Sequence, residues 1–159
     1  MPTFVFQIRG CNGLDRETLE QTLGPDNVNT SFEQMANGER KYKMVSADGS
    51  YYCRTIASSQ GAWQNSHFHN HITEFYVVQS GWIAYANFAH DQALKIRVMG
   101  EGEHIIVQPG VHHNLYMSAN SVIHTIKYGL NTHSDWSASP ELDSVTQTLL
   151  ESELLQTYG

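Results

Sequence analysis

Three histidines stand at alternate positions in the stretch GAWQNSHFHNHITEFYVVQSG (61–81): His67, His69 and His71. A second pair, His112 and His113, follows in GVHHNLYM, so these two windows hold five of the chain's nine histidines. Neutral imidazole beside carboxylate suits Zn, Fe, Ni, Cu or Mn, with geometry choosing among them. On a strand, residues i, i+2 and i+4 point to one face, so the first three histidines would look the same way. A helix would also bring His67 and His71 together. The flanking TEFYVV and a glycine at either end favour a strand. A solvated histidine-rich turn is the plainer reading of the first window. The second cluster, in the same strand-and-turn context, argues for a metal site.

Such clusters must be held by a scaffold, and short β-type runs supply one. TFVFQI (3–8), KYKMVS (41–46), SYYCRTI (50–56), TEFYVV (73–78), WIAYANF (82–88), ALKIRVM (93–99), HIIVQ (104–108), HNLYM (113–117) and VIHTIKY (122–128) are rich in β-branched and aromatic residues. Turn residues separate them, which predicts an antiparallel sandwich or barrel. Two helices are expected around this body. LDRETLEQTLGP (14–25) has Asp15 as N-cap and a Gly-Pro stop. The second, about 140–157, has Ser139 as cap, Pro140 at its first position and an apolar stripe of Leu142, Val145, Leu149 and Leu150. The stretch 29–41 reads as a loop. In TEFYVV, Phe75 and Val77 make one apolar face and Tyr76 and Val78 the other, which predicts cover on both sides and points to a homodimer.

Length and charge bound the function. The 159 residues suit one domain, and a formal net charge of −7 with no basic cluster argues against nucleic acid or an anionic membrane as partner. No stretch reads as a signal peptide or a bilayer span. Cys11 and Cys53 are too few for a disulfide framework or a sulfur-ligated zinc site, and reduced thiols in a cytoplasm are expected.

The two histidine windows also carry a family pattern. Gly61, His67, His69, Glu74 and Gly81 resemble the first cupin motif at every specified position. Gly102, Gly110 and His113 are in register with the second, in which Gln108 replaces the usual proline and Met117 the usual asparagine; Pro109 lies one place later. The resemblance spans about residues 50–128. It implies an all-β fold, the double-stranded β-helix or jelly-roll barrel, here as one domain with short N-terminal and C-terminal helices. The same register implies His67, His69, Glu74 and His113 as ligands of one divalent first-row metal. Fe(II) is favoured, with Zn, Ni, Mn or Cu as alternatives. His71 and His112 fall out of register.

Alternation from Glu74 puts Tyr76 and Val78 inside, and alternation from His113 puts Leu115 and Met117 inside, an apolar wall for a substrate. His71 points inward as an acid/base group if the strand stays regular, or to solvent if it turns. Tyr76 and His124 are the other candidates for proton transfer. Arg54 and Lys127 could anchor a substrate carboxylate, although outward charges on strands are commonplace. A barrel of this kind hosts many chemistries. An Fe(II)-type dioxygenase acting on a small organic molecule is the first expectation, favoured by the apolar wall. A non-redox isomerase, lyase or cyclase using the metal as Lewis acid is the second. A non-catalytic small-molecule binding module is the third.

Overall fold

The computed structural model describes residues 27–129 and 135–159. The expected strand 3–8, the helix 14–25 and Cys11 lie outside the described residues. Among the described residues, twelve strands form two antiparallel sheets. In chain order they are β1 (Val28–Gln34), β2 (Arg40–Ser46), β3 (Tyr51–Ile56), β4 (Ala62–Trp63), β5 (His67–Phe68) and β6 (Ile72–Ser80). Then follow β7 (Trp82–Phe88), β8 (Leu94–Gly100), β9 (His104–Val107), β10 (His113–Met117), β11 (Val122–Gly129) and β12 (Ser137–Ala138). The first sheet has the order β1-β2-β3-β11-β6-β9 and the second β12-β5-β10-β7-β8, with β4 paired to β10.

From β5 onward, every connection except the β7–β8 hairpin crosses from one sheet to the other. The turn at Gly81 carries the chain from β6 to β7 at φ +76, where a side chain would meet Ser121. Only glycine fits both demands. At Gly61 a Cβ would collide with the Tyr116 ring. Two of the motif's glycines thus have packing reasons.

Between the sheets Val78, Ile83, Tyr85, Met99, Val107, Leu115, Met117 and Ile123 form the buried core. The alternate residues of β7, Ala84 and Ala86, are also fully buried, because helices cover the outer face of the second sheet. There Ala84 and Tyr116 pack with Leu154, and Trp63, Trp82 and Leu149 close around them.

Two expectations are corrected. The stretch 29–41 is no loop: Val28–Gln34 pairs along its whole length with Arg40–Ser46 as a hairpin. Its alternation is polar inside and mixed outside, so it lacks the apolar signal of a core strand. The C-terminal helix is two helices, α1 (Pro140–Thr146) and α2 (Glu151–Tyr158). The break lets the Leu149 carbonyl accept from Trp63 Nε1 at 3.2 Å, and Leu150 turns extended, its N–H capped by Glu153 at 2.7 Å. The buried leucines are therefore Leu142 and Leu154, whereas Val145 and Leu150 are exposed. Ser139 does precede Pro140 at the start of α1 but makes no side-chain cap. Among the described residues no helix is long and apolar enough to cross a membrane.

Candidate metal centre

Strand β6 alternates as the sequence suggests: Ile72, Glu74, Tyr76 and Val78 are buried and their neighbours less so. Glu74, 1% exposed, is the hub. Its partner on β11 is Lys127. Across the barrel, β10 places His113 opposite His67 of β5, and His69 follows in the turn leading to β6.

These side chains converge. His113 Nε2 lies 2.8 Å and His67 Nε2 3.6 Å from Glu74 Oε2. His69 Nε2 lies 3.4 Å from the other oxygen, Oε1. One ligand atom from each of His67, Glu74 and His113 falls within 4.8 Å of the others. The Lys127 ammonium approaches Glu74 Oε1 at 2.7 Å and His69 Nε2 at 3.1 Å, so His69 faces the lysine side of the carboxylate.

The imidazoles are held in one tautomer. Nδ1 of His67 reaches the Asn65 carbonyl at 3.1 Å, that of His113 the Val111 carbonyl at 2.9 Å, and that of His69 the Asp135 carbonyl. A carbonyl can only accept, so each Nδ1 carries the proton and each Nε2 presents a lone pair. Backbone hydrogen bonds of this kind orient metal-ligating histidines. His67 Nε2 is buried and makes no hydrogen bond, and neither does Glu74 Oε2, whereas Oε1 pairs with the Lys127 ammonium. Lone pairs facing one another across 2.8 Å repel unless a cation or proton stands between them. The donor set therefore fits a divalent first-row ion.

Burial alone would raise the Glu74 carboxyl; where no metal ion stands between them, a proton shared with the facing imidazoles, His113 foremost, and the Lys127 charge outweigh it and hold the group ionised, well below the usual carboxylate range. Burial lowers His67, which keeps it neutral. Burial and then the Glu74 charge push the Tyr76 hydroxyl well above its ordinary value. That hydroxyl lies 3.3 Å from His113 Nε2, to which it donates.

The cluster opens into a cavity of about 350 Å³. Lys41, Lys43, Tyr51, Thr55, Gln64 and Thr125 are among the side chains that line it, with Trp63 and Trp136 at its sides. Trp136 stacks on His67 at 5.7 Å. A second hollow of about 440 Å³, lined by Tyr85, Leu94, Ile96 and Tyr158 among others, contains none of the cluster.

Several expected site residues lie elsewhere. Val78, Leu115 and Met117 are buried in the core and do not line the cavity. Arg54 and His124 pair on the outer face of the first sheet. Both bond Gln79, and His124 also bonds Tyr52 at 2.8 Å. His71 is exposed, because the backbone turns at Asn70–Ile72 around Asp135. His112 faces away from the cluster, stacked on Phe68 and bonded to Ser139 Oγ at 2.8 Å. Tyr76 and Lys127 are at the site. Lys41, Lys43, Tyr51, Trp136 and Asp135 carried no motif; strand pairing brings the first three to the site, and contacts with His67 and His69 the last two.

No family model and no curated protein matches the sequence. Solved structures do match the fold. KdgF from Halomonas sp. is 11% identical with a TM-score of 0.52, over 61% of this chain and 84% of that one. Oxalate decarboxylase from Bacillus subtilis is 9% identical with a TM-score of 0.57, over 94% of this chain and 40% of that one. The coconut allergen cocosin is 10% identical with a TM-score of 0.55, over 72% of this chain and 31% of that one. The chain thus spans less than half of the last two proteins. All three are cupins, and the fold of this chain is the cupin double-stranded β-helix, with a histidine–glutamate cluster inside it.

Proposed function

We propose that the protein is a metal-dependent enzyme acting on a small organic molecule by a non-redox, isomerase- or lyase-type reaction. The carrying observation is the set of three imidazoles, each fixed with its Nε2 lone pair towards the buried Glu74 carboxylate at the floor of a cavity. His67, His69, Glu74 and His113 would hold the ion. When bound, it supplies Lewis acidity towards a substrate oxygen. Lys127 Nζ, at the same end of the cavity, binds an acidic group of the substrate. Tyr76 Oη keeps its proton at neutral pH, so it donates a hydrogen bond or a proton and does not abstract one.

The competing expectation, an Fe(II) dioxygenase, drew its support from an apolar wall of Val78, Leu115 and Met117. With those residues in the core and lysines, amides and hydroxyls around the cavity, that support falls away. The Mn(II) centres of Bacillus subtilis oxalate decarboxylase, a protein of similar fold at 11% identity and a TM-score of 0.53, make Mn(II) a reasonable first ion to load. The test is turnover of a panel of small carboxylic acids, followed by NMR, with Mn(II), Zn(II) and Fe(II) forms in air and under strict anaerobiosis. Undiminished anaerobic turnover by the Mn(II) or Zn(II) form, abolished in Glu74→Gln, is the expected result. Turnover confined to the Fe(II) form in air would return the dioxygenase reading.

A further inference from the structure

The chain is acidic, yet of its lysines, Lys41, Lys43, Lys95 and Lys127, all but Lys95 line the cavity of the metal cluster. Strand register explains how. Lys43 stands in one inward row with Cys53, Thr125 and Tyr76, and Lys41 in the next with Thr55, Ile123 and Val78. Lys127 occupies the row of Tyr51 and Glu74. The β1–β2 hairpin therefore extends the floor of the site outward and carries two cations on it.

These lysines do not gather at one point. β2 and β11 are separated by β3, which puts Lys127 on the order of 10 Å across the sheet from the other two. At the inner end Lys127 shares Glu74 with the imidazoles. At the outer end Lys41 pairs with Glu39 at 2.9 Å and Lys43 with Glu33 at 2.6 Å. Glu33 does not line the cavity, and an ammonium has three donors, so pairing leaves both outer lysines able to bind an anion. Among the cavity-lining residues three lysines face two glutamates, and a metal ion would add to the positive side.

We infer that the ligand of this cavity carries two acidic groups, one bound by Lys127 beside the metal cluster and the other by Lys41 and Lys43 on β2. The placement of the first group rests on the proposed metal-dependent function; the second stands on strand register and the cavity alone. Carboxylate and phosphate-type groups share the required chemistry.

The probes are linear dicarboxylates from malonate to pimelate, the monocarboxylates of matching length, and 3-phosphonopropionate. Binding is read by calorimetry and by tryptophan fluorescence, since Trp63 and Trp136 line the cavity, on Mn(II)-loaded and metal-free protein. At least one dicarboxylate should bind about tenfold or more tighter than its monocarboxylate. The double variant Lys41→Met/Lys43→Met should erase that preference and leave monocarboxylate affinity and metal content unchanged. Lys41→Arg/Lys43→Arg should keep the preference, which separates lost charge from lost folding. Tighter binding of the phosphonate than of its dicarboxylate counterpart would make the outer group phosphate-type. Equal affinity for the two carboxylate series, no binding of either, or a preference intact in the methionine variant would overturn the inference. Failure of the proposed chemistry shows separately, as discrimination without metal-dependent turnover.

Discussion

Asp135 serves the cluster twice. Its backbone carbonyl fixes His69 through Nδ1, while its carboxylate accepts the N–H groups of Asn70, His71 and Ile72 at 2.8, 2.8 and 3.1 Å. Burial works against the charged carboxylate, but those donors prevail and lower its pKa. Loss of the carboxylate frees the turn that aims His69, and loss of such a supporting contact typically costs about 10–100-fold in metal affinity. Asp135→Ala should show a loss of that order in Mn(II) or Zn(II) titration, and Asp135→Asn, which keeps one acceptor, a smaller one. His71→Ala and His112→Ala should bind metal like the parent, because neither side chain faces Glu74. Metal loss in His71→Ala as complete as in His67→Ala would mean that the ligand set is wrong. The motif register separates His67 and His69 from His71 because strand parity and the following turn are encoded locally. Asp135 is invisible to such a reading: it stands 66 residues from His69 and meets it only in the fold. His124 and Lys127 show another limit. Three residues apart on one strand, they face opposite sides, and VIHTIKY has no pattern that says which side is inner.

At the scale of elements, the site is built by the sheets while the helices brace the opposite face. Strands β6, β10 and β11 were legible because apolar alternation and turn residues mark them within a residue or two of their bounds. The β1–β2 hairpin was not, since its inner face carries Ser31, Glu33, Lys41 and Lys43, the two lysines lining the cavity, the reverse of the usual apolar signal. The C-terminal leucine stripe suggested one helix, because side-chain spacing alone does not report that Trp63 captures the Leu149 carbonyl. This division of labour has a measurable consequence. Leu154, fully buried on the outer face of the second sheet in a cluster that includes Trp63, does not itself line the cavity. Leu154→Ala should cost about 2–5 kcal/mol in urea unfolding at unchanged m-value, the range for a leucine truncated in a packed site. Metal affinity of the folded variant should stay at the parent value. A large loss of affinity would instead show that the helices set the geometry of the cluster.

For the whole molecule, the buried cluster couples stability to pH and to metal. The folded state lowers His67 below 6.5 through burial, so as pH falls below that value the unfolded chain takes up a proton that the native one resists. Glu74 is also lowered, from 4.5. Its contribution is present above that value and is lost as pH falls through the native pKa. In both cases the unfolded state binds more protons in acid, and stability must decline with falling pH. Metal-free protein should therefore lose melting temperature in two stages, a first below about pH 6.5 and a steeper one below about pH 4.5. Glu74→Gln should weaken the second stage, to which Asp135 and Glu33 also contribute, and keep the first. An ion that binds only the native state adds about 2.7 kcal/mol when present at a hundredfold excess over its Kd. Because protons compete for the same lone pairs, that increment should shrink as the solution is acidified. Differential scanning calorimetry across about pH 2–8, with EDTA and with Mn(II) or Zn(II), measures both effects. A melting temperature indifferent to metal at pH 7.5, or higher at pH 5 than at pH 7.5 without metal, would show that the three imidazoles and Glu74 do not act as a linked cation site.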